Sequence, residues 1–212
     1  MSFPANLGLT LKQIMTSKGA DYRPFAIEGA FGEIELKRLE KQVEDIPETQ
    51  ALTHSDGQFG SADEDSERRA WEKGLPFDND FSWVYSKLQD LIWDINEQTW
   101  NFDLLAMLEP AIHLRYKSSE KGKYDFHVDC GGNAPSSYRK MSIIVLLSDP
   151  DDYEGGNVLF QDYLATEETE MVYPKTKGTI LFFPSFLRHA VTPVTKGERK
   201  SLVLWVHGKP FR

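Results

Sequence analysis

The stretch GTILFFPSFLRHAVTPVTKGERKSLVLWVHG, residues 178–208, alternates short runs of β-branched and aromatic residues with Gly, Pro and charged positions. Runs of about four to eight such residues, bounded by turn-forming residues, are typical of β-strands. We therefore predict three strands in this stretch, over residues 178–184, 189–194 and 201–207.

The same pattern extends back to Pro110 and predicts five more strands. They cover residues 111–116, 124–129, 140–148, 157–162 and 170–174. Eight short strands in succession predict two packed antiparallel sheets, which is a double-stranded β-helix of the jelly-roll type. One end of such a sandwich leaves a mouth, a common place for a small-molecule site.

Before Pro110 the sequence predicts two helices. Residues 33–45 place Ile34, Leu36 and Val43 among good helix formers. Residues 81–100 repeat apolar residues at helical spacing with polar residues between them, which predicts a longer amphipathic helix. We expect both helices to brace one sheet of the jelly roll.

Residues 54–80 are polar, acidic and interrupted by Gly and Pro, so they predict a long loop. The acidic part, residues 63–72, is most simply a solvated surface segment, and a mobile lid over a site is the functional alternative. We expect residues 1–212 to form one domain, with residues 1–109 as a supporting helical and loop region and residues 110–212 as the jelly-roll core.

Composition narrows the function classes. With 212 residues, 40% hydrophobic and 27% charged, the chain has ordinary globular usage. A net charge of −9 disfavours nucleic acid and anionic membranes as partners. Cys130 is the only cysteine, which excludes an intrachain disulfide and favours a reducing cytoplasm. The sequence contains no signal-peptide pattern and no run of about 20 apolar residues, so we expect no membrane span.

His127 and Asp129 form the first candidate metal site. Residues two apart on a strand point to the same face, so both side chains can contact one ion. His-x-Asp alone is a weak pattern. His189 opens a later predicted strand and can complete a set of two imidazoles and one carboxylate, the facial arrangement of non-haem Fe(II) oxygenases. These ligands also suit Mn or Co, so they do not fix the metal.

With these motifs in place, the C-terminal half resembles the Fe(II)/2-oxoglutarate-dependent oxygenases of the prolyl 4-hydroxylase-like group, bacterial and phage type. The resemblance is carried by HVD at residues 127–129, LLSDPDDYEGGNVLF at residues 146–160 and the stretch at residues 178–208. Upstream, residues 82–102 look like the support helix of such members. Three features follow one another in the same order as in the family: the metal pattern, the Tyr-Glu-Gly-Gly turn, and the spacing from the last His to an Arg.

The resemblance implies specific cosubstrate contacts. Arg199, ten positions after His189, would anchor the distal carboxylate of 2-oxoglutarate, and a planar guanidinium suits bidentate recognition. Ser201 completes an Arg-x-Ser motif, and Tyr116 resembles a family tyrosine that adds a hydrogen bond to 2-oxoglutarate. Collagen-type members usually carry Lys at the position of Arg199, which disfavours collagen-like substrates here.

The resemblance also implies the reaction. The cofactors would be Fe(II), 2-oxoglutarate and O2, and ascorbate is an optional addition. The reaction would hydroxylate an unactivated C–H bond with release of succinate and CO2. The carboxylate of Asp129 favours hydroxylation over halogenation, because related halogenases carry a small residue there. The substrate would be a peptide or protein, with a prolyl residue as one candidate target.

Two other functions stay open from the sequence. The same chemistry could act on a free amino acid or small metabolite, for which a closed pocket with a second anchoring charge such as Arg139 is expected, whereas a peptide needs an open groove. From another class comes a non-catalytic metal-binding jelly-roll protein, which would not need an Arg-x-Ser motif. The sequence does not predict the oligomeric state.

Other candidate residues receive structural interpretations. His113 and His207 lie at strand ends and His54 lies in a polar stretch, so we exclude all three from the metal site. Trp205 is interpreted as a core residue, with a role in shaping the cosubstrate pocket as the alternative.

Three residues near the metal motif stay less defined. Tyr124 and Arg139 border the predicted mouth, and substrate contact and surface packing are both open for them. Cys130 should face away from the metal, because side chains alternate along a strand.

Overall fold

Antiparallel β-structure dominates the fold, and two α-helices precede the main run of strands. The computed structural model describes residues 11–13, 22–51, 54–55, 58–59, 67–161 and 173–209, and all structural statements refer to these ranges. The helices are α1 (Glu33–Glu44) and α2 (Ser82–Gln98). The strands are β1 (Leu11–Gln13), β2 (Phe25–Ile27), β3 (Thr49–Gln50), β4 (His54–Ser55), β5 (Gln58–Phe59), β6 (Arg68–Arg69), β7 (Trp71–Leu75), β8 (Leu104–Ala106), β9 (Ala111–Lys117), β10 (Lys123–His127), β11 (Arg139–Leu146), β12 (Tyr153–Gly155), β13 (Val158–Phe160), β14 (Ile180–Pro184), β15 (His189–Val191) and β16 (Val194–Gly208).

Two sheets share these strands. The large sheet has the order β1-β2-β14-β11-β16-β9-β7-β3, and β8 and β12 also pair with β16. The small sheet has the order β13-β15-β10-β6, and β4 pairs with β5 separately. From β9 to β11, and again from β13 to β16, consecutive strands alternate between the large and the small sheet, which is the winding of a double-stranded β-helix. The predicted jelly roll is confirmed.

The core has two layers, one on each face of the large sheet. Between the sheets, Ile144 and Phe183 of the large sheet contact Val158 and Phe160 of the small sheet. On the other face, alternate residues of β11 and β16 pack against the helices; they include Ile143, Val145, Leu204 and Val206. Because both faces of β11 are covered, the second half of the strand, residues 143–146, is a continuous apolar run rather than an alternating one.

Both predicted helices are present. In α2 the apolar residues at helical spacing are buried, as predicted: Val84, Leu88, Leu91, Ile92 and Ile95. In α1 the buried residues are Leu36, Leu39 and Val43, whereas Ile34 is 85% exposed. Ile34 precedes Leu36 by two positions, about 200° around the helix, so the two cannot share a buried face. Among the described residues, neither helix is long and apolar enough to cross a membrane.

The loop predicted at residues 54–80 was partly wrong. Within it, β7 pairs with β9 from Trp71↔Arg115 to Leu75↔Ala111 and extends the large sheet. Only Leu75 of β7 is buried, so the strand lacks the alternating pattern that would have identified it. Other parts of this region fall outside the described residues, including residues 63–66 of the acidic segment at residues 63–72.

Two predicted strand boundaries also differ. The strand predicted at residues 189–194 ends at Val191, and β16 then begins at Val194 in the other sheet. β16 continues through Gly197, because that residue pairs with Tyr153 of β12 instead of forming a simple turn. Of the strand predicted at residues 170–174, the first three residues lie outside the described residues.

Candidate metal centre

Three potential metal ligands converge at the small sheet. His127, the last residue of β10, lies directly opposite His189 in β15, and Asp129 follows two residues later. The potential ligand atoms of the three residues all lie within 4.8 Å of one another. Nε2 of His127 is 3.5 Å from Oδ1 of Asp129, and Nε2 of His189 is 3.6 Å from Oδ2. The structure therefore brings together the three residues that the sequence nominated.

Backbone carbonyls fix the orientation of both imidazoles. Nδ1 of His127 lies 2.8 Å from the carbonyl oxygen of Asp125, and Nδ1 of His189 lies 2.9 Å from that of Leu187. Because a carbonyl oxygen only accepts a hydrogen bond, each Nδ1 carries the proton. Each Nε2 then has a free lone pair near Asp129, which is the state in which imidazole binds a metal.

Burial sets the charges in this cluster. It lowers the pKa of His189 to about 4, so the ring is neutral at pH 7. Burial alone would raise the pKa of the Asp129 carboxyl, but the attraction of the carboxylate to a protonated His189, its interactions with His127 and the hydrogen bond from Ser142 together hold that pKa below its ordinary value. The buried carboxylate of Asp129, the neutral ring of His189 and the imidazole of His127 form a donor set that a divalent cation fits.

Aromatic rings enclose the cluster. The ring of Tyr124 stacks on His127 with centroids 3.5 Å apart, and Phe183 meets His189 edge-on at 4.6 Å. Burial raises the pKa of Tyr124 to about 12, so its hydroxyl stays protonated. Of the two residues that the sequence placed at the mouth without a role, Tyr124 thus contacts a candidate ligand directly.

Arg199 lies deep between the sheets. Its side chain is 1% exposed, and Nη1 donates to Oγ of Ser201 at 3.1 Å. Tyr116 is its cross-strand neighbour on β9, with the guanidinium 5.4 Å from the ring centroid. Among the described residues, Nε and Nη2 of Arg199 have no hydrogen-bond partner. These two nitrogens form one edge of the guanidinium, a complete fork for a carboxylate.

The register of β16 connects this fork to the metal cluster. Arg199, Ser201, Val203 and Trp205 occupy alternate positions and so share one face of the strand. Trp205 lies opposite Ser142 of β11, and the Ser142 hydroxyl donates to Asp129 at 2.6 Å. Arg199 therefore faces the same interior as the candidate ligands.

A second charged cluster lies beside the metal centre. Arg139 forms two hydrogen bonds to Glu109 at 2.5 and 2.7 Å, and its guanidinium lies 3.7 Å from the ring centroid of Trp205. It also donates to the backbone oxygen of Asp129 at 3.2 Å. The buried His207 contacts Glu109 through Nε2 at 2.8 Å. Arg139 is thus held by protein groups.

Sequence reasoning missed Ser142 and Glu109. Neither belongs to a short motif, and Glu109 lies 30 residues from Arg139 and 98 from His207. His113 is buried on the opposite face of β9 from Tyr116, and burial lowers its pKa to about 4. Within the described part of the chain, the candidate metal cluster contains neither His113 nor His207. The side chain of His54 lies outside the described residues.

The sequence is similar to known proteins mainly in the second half of the chain. Residues 112–207 match the family model of the 2OG-Fe(II) oxygenase superfamily. A PKHD-type hydroxylase from Alteromonas mediterranea is 36% identical over 102 residues, which is 46% of this chain and 42% of that protein. The chain spans about half the length, or less, of the curated relatives that it matches.

Solved structures share the fold. An oxidoreductase of the 2OG-Fe(II) oxygenase family from Burkholderia pseudomallei superposes with a TM-score of 0.63 at 16% identity, covering 88% of this chain and 86% of that one. A prolyl hydroxylase from Trichoplax adhaerens, in complex with a peptide fragment of hypoxia inducible factor, gives a TM-score of 0.62 at 15% identity, covering 96% and 84%. At such identities the likeness establishes the fold alone.

Proposed function

We propose that this chain is an Fe(II)- and 2-oxoglutarate-dependent hydroxylase, because its residues 112–207 match the family model of the 2OG-Fe(II) oxygenase superfamily. The observation that carries the proposal is the open fork of Arg199, buried in the same interior as His127, Asp129 and His189. A buried guanidinium without a carboxylate is costly. A cosubstrate that brings one removes that cost, and a scaffold protein would have no use for it.

His127, Asp129 and His189 would hold Fe(II). Two nitrogens and one carboxylate oxygen on one face of an octahedron leave three positions open. Bound there, Fe(II) together with 2-oxoglutarate and O2 would supply the oxidising power that hydroxylation of an unactivated C–H bond requires, with succinate and CO2 as the coproducts. The fixed Nδ1 protons of both imidazoles keep Nε2 directed at the metal position.

Arg199 would bind the distal carboxylate of 2-oxoglutarate through Nε and Nη2. Nη1 of Arg199 donates a hydrogen bond to Ser201, and this bond fixes the orientation of the guanidinium plane. Tyr116 lies next to the fork on the neighbouring strand, where its hydroxyl could add a third hydrogen bond to the same carboxylate. The three residues orient the cosubstrate, and orientation of reactants lowers the barrier of the following step.

The aromatic rings beside the candidate ligands serve a second purpose. Tyr124 and Phe183 cover the candidate ligands His127 and His189 with aromatic surface. Such surfaces exclude water from a reactive centre and strengthen the electrostatic interactions inside it.

For the substrate, we propose a peptide or protein, with a prolyl residue as the candidate target. A free amino acid would need a second cation for its own carboxylate, and Arg139 was the nominated residue. Arg139 is instead occupied by Glu109 and by the ring of Trp205. This observation favours a peptide over a metabolite.

The remaining proposals concern the setting of the reaction. The single cysteine and the charge of −9 favour a reducing cytoplasm and disfavour nucleic acid and anionic membranes as partners. We also propose that residues 1–212 form one domain, in which residues 110–212 are the jelly-roll core and residues 1–109 support it. Ascorbate is included as a variable in the assay below.

The test is succinate release from 2-oxoglutarate by the purified protein with Fe(II) and O2, with and without ascorbate. Succinate formed above a no-enzyme control, abolished by His127→Ala and by Asp129→Ala, is expected. A peptide library containing proline should raise the rate, and mass spectrometry should detect a gain of one oxygen. An iron-loaded protein that turns over no 2-oxoglutarate with any peptide or amino acid would contradict the proposal.

A further inference from the structure

Two buried hydroxyls hold the carboxylate of Asp129. Oγ of Ser142 lies 2.6 Å from Oδ2 of Asp129, and Oγ of Ser185 lies 2.9 Å from Oγ of Ser142. Ser142 and Ser185 are both 0% exposed, so water does not compete for these hydrogen bonds. The backbone oxygen of Ser185 also accepts from the backbone N–H of Asp129 at 2.9 Å. Asp129 is therefore fixed at its backbone and at one carboxylate oxygen.

The direction of both hydrogen bonds follows from proton counting. An ionised carboxylate can only accept, so Ser142 must donate its single hydroxyl proton to Asp129. The oxygen of Ser142 is then available only as an acceptor, and Ser185 must donate to it. The protons run in one direction, from Ser185 to Ser142 to Asp129.

We propose that Ser142 and Ser185 form a hydroxyl relay that makes Asp129 a one-oxygen metal ligand. The relay occupies Oδ2 and leaves Oδ1 for the ion. The inference rests on the proposed function, because an octahedral Fe(II) must keep three positions open for the two donor atoms of 2-oxoglutarate and for O2. If both oxygens of Asp129 bound the ion, only two positions would remain. Ser142 and Ser185 are thus positioning residues that protect cosubstrate binding.

The test separates iron binding from 2-oxoglutarate binding. In the absence of O2, 2-oxoglutarate chelated to Fe(II) gives a visible charge-transfer band, and its titration measures cosubstrate affinity without turnover. In Ser142→Ala the freed oxygen of Asp129 can also bind the ion. The dissociation constant of 2-oxoglutarate should rise about tenfold or more, because the second carboxylate oxygen would take one of the positions that the cosubstrate and O2 need. Affinity for Fe(II) alone should hardly change, since the ion gains a donor atom.

Three further variants sharpen the test. Ser142→Thr keeps the hydroxyl and should restore 2-oxoglutarate affinity. Ser185→Ala should weaken it less than Ser142→Ala, because Ser142 can still donate. Ser148→Ala is the matched control: Ser148 is 6% exposed and also makes two hydrogen bonds, but to Glu198 and Lys200 rather than to Asp129. It should leave both affinities at wild-type values.

Two results would overturn the relay alone. One is an unchanged 2-oxoglutarate affinity in Ser142→Ala. The other is a parallel loss of Fe(II) affinity, which indicates general support of the ligand rather than control of its denticity. If the wild-type protein itself gives no charge-transfer band with Fe(II) and 2-oxoglutarate, the proposed function fails, and the relay fails with it.

Discussion

At the scale of single residues, Arg199 has the most unusual environment. Most buried arginines are paired with a carboxylate, because an unpaired buried charge is strongly unfavourable. Arg199 is 1% exposed, and among the described residues it donates only to Ser201. The free edge of its guanidinium is explained if the missing partner is the distal carboxylate of 2-oxoglutarate.

The first prediction concerns Arg199→Met. The KM for 2-oxoglutarate should rise about 100-fold, because two charge-assisted hydrogen bonds are lost. The KM of Arg199→Lys should lie between those of the wild type and Arg199→Met, since an ammonium keeps the charge but cannot form a bidentate fork. Without cosubstrate, Arg199→Met should melt at the same or a higher temperature than the wild type, because it removes a buried unpaired charge.

The control for this prediction is Lys200→Met, on the other face of β16. It should leave the KM for 2-oxoglutarate unchanged. Steady-state kinetics with 2-oxoglutarate as the varied substrate, together with thermal unfolding, measures both effects. A wild-type KM in Arg199→Met would show that the cosubstrate binds elsewhere.

At the scale of secondary-structure elements, the turn that follows β12 supports the same fork. Gly156 has φ of +60°, and a Cβ built on it would lie 2.7 Å from Cδ of Arg199. That distance is too short for two carbon atoms, and Cδ belongs to the buried stem of the side chain. Glycine is therefore needed at position 156 both for its backbone conformation and for the space that Arg199 fills.

The second prediction uses this contact. Gly156→Ala should displace the Arg199 stem and raise the KM for 2-oxoglutarate roughly tenfold, because about 1.4 kcal/mol of binding energy is lost with the fork out of position. Gly29→Ala is the matched control: Gly29 has φ of +66°, but a Cβ added there would have no atom within 4 Å. It carries the backbone strain alone and should destabilise the protein without changing KM. Equal KM values for the two variants would contradict the contact.

The third prediction concerns helix α2, which packs on the large sheet. Leu88 is 0% exposed in the cluster between α2 and β11. Leu88→Ala should lower the free energy of unfolding by about 2–5 kcal/mol through lost contacts and the cavity that remains. The exposed neighbour Gln89 provides the control, and Gln89→Ala should change the free energy of unfolding by less than about 0.5 kcal/mol. Urea unfolding measures both; equal effects would mean that α2 does not brace the sheet.

At the scale of the whole molecule, the cluster of Glu109, Arg139 and His207 joins three distant parts of the chain. Glu109 precedes β9, Arg139 begins β11 and His207 lies near the end of β16. Burial alone would raise the pKa of Glu109, but hydrogen bonds from Arg139 and His207 outweigh it and lower the pKa to about 2. The folded state therefore prefers the ionised carboxylate.

The fourth prediction follows from that pKa. Because the folded pKa of Glu109 is depressed from 4.5 to about 2, its stabilising contribution is complete above about pH 4.5 and is lost as the pH falls toward 2. Glu109→Gln should cost on the order of 3 kcal/mol at pH 7, and the difference from the wild type should shrink below pH 4.5. The control is Glu154→Gln, in the exposed pair with Lys196, which should have little effect. Urea unfolding at a series of pH values measures these differences. If the difference between Glu109→Gln and the wild type did not depend on pH, the lowered pKa of Glu109 would be contradicted.

The sequence by itself determined the elements whose evidence is local. Apolar runs such as residues 140–148 predicted strands, and the helical spacing from Val84 to Ile95 predicted α2, because such patterns depend only on neighbours in the chain. The spacing of His127 and Asp129 predicted a shared strand face for the same reason. His189 was nominated by its place at the start of a later predicted strand, and Arg199 by the resemblance to the 2-oxoglutarate oxygenases. The structure brings His189 to the first pair and turns Arg199 to the same interior.

Only the tertiary structure decided which remote segments meet. It placed β7 in the large sheet, although Trp71–Leu75 carries no strand pattern, because the pairing partner β9 lies some 40 residues away. It also joined Glu109 to Arg139 and placed Ser142 against Asp129. A hydrogen bond between residues far apart leaves no periodic trace in either local sequence, since each partner is a single ordinary polar residue until the fold closes the distance.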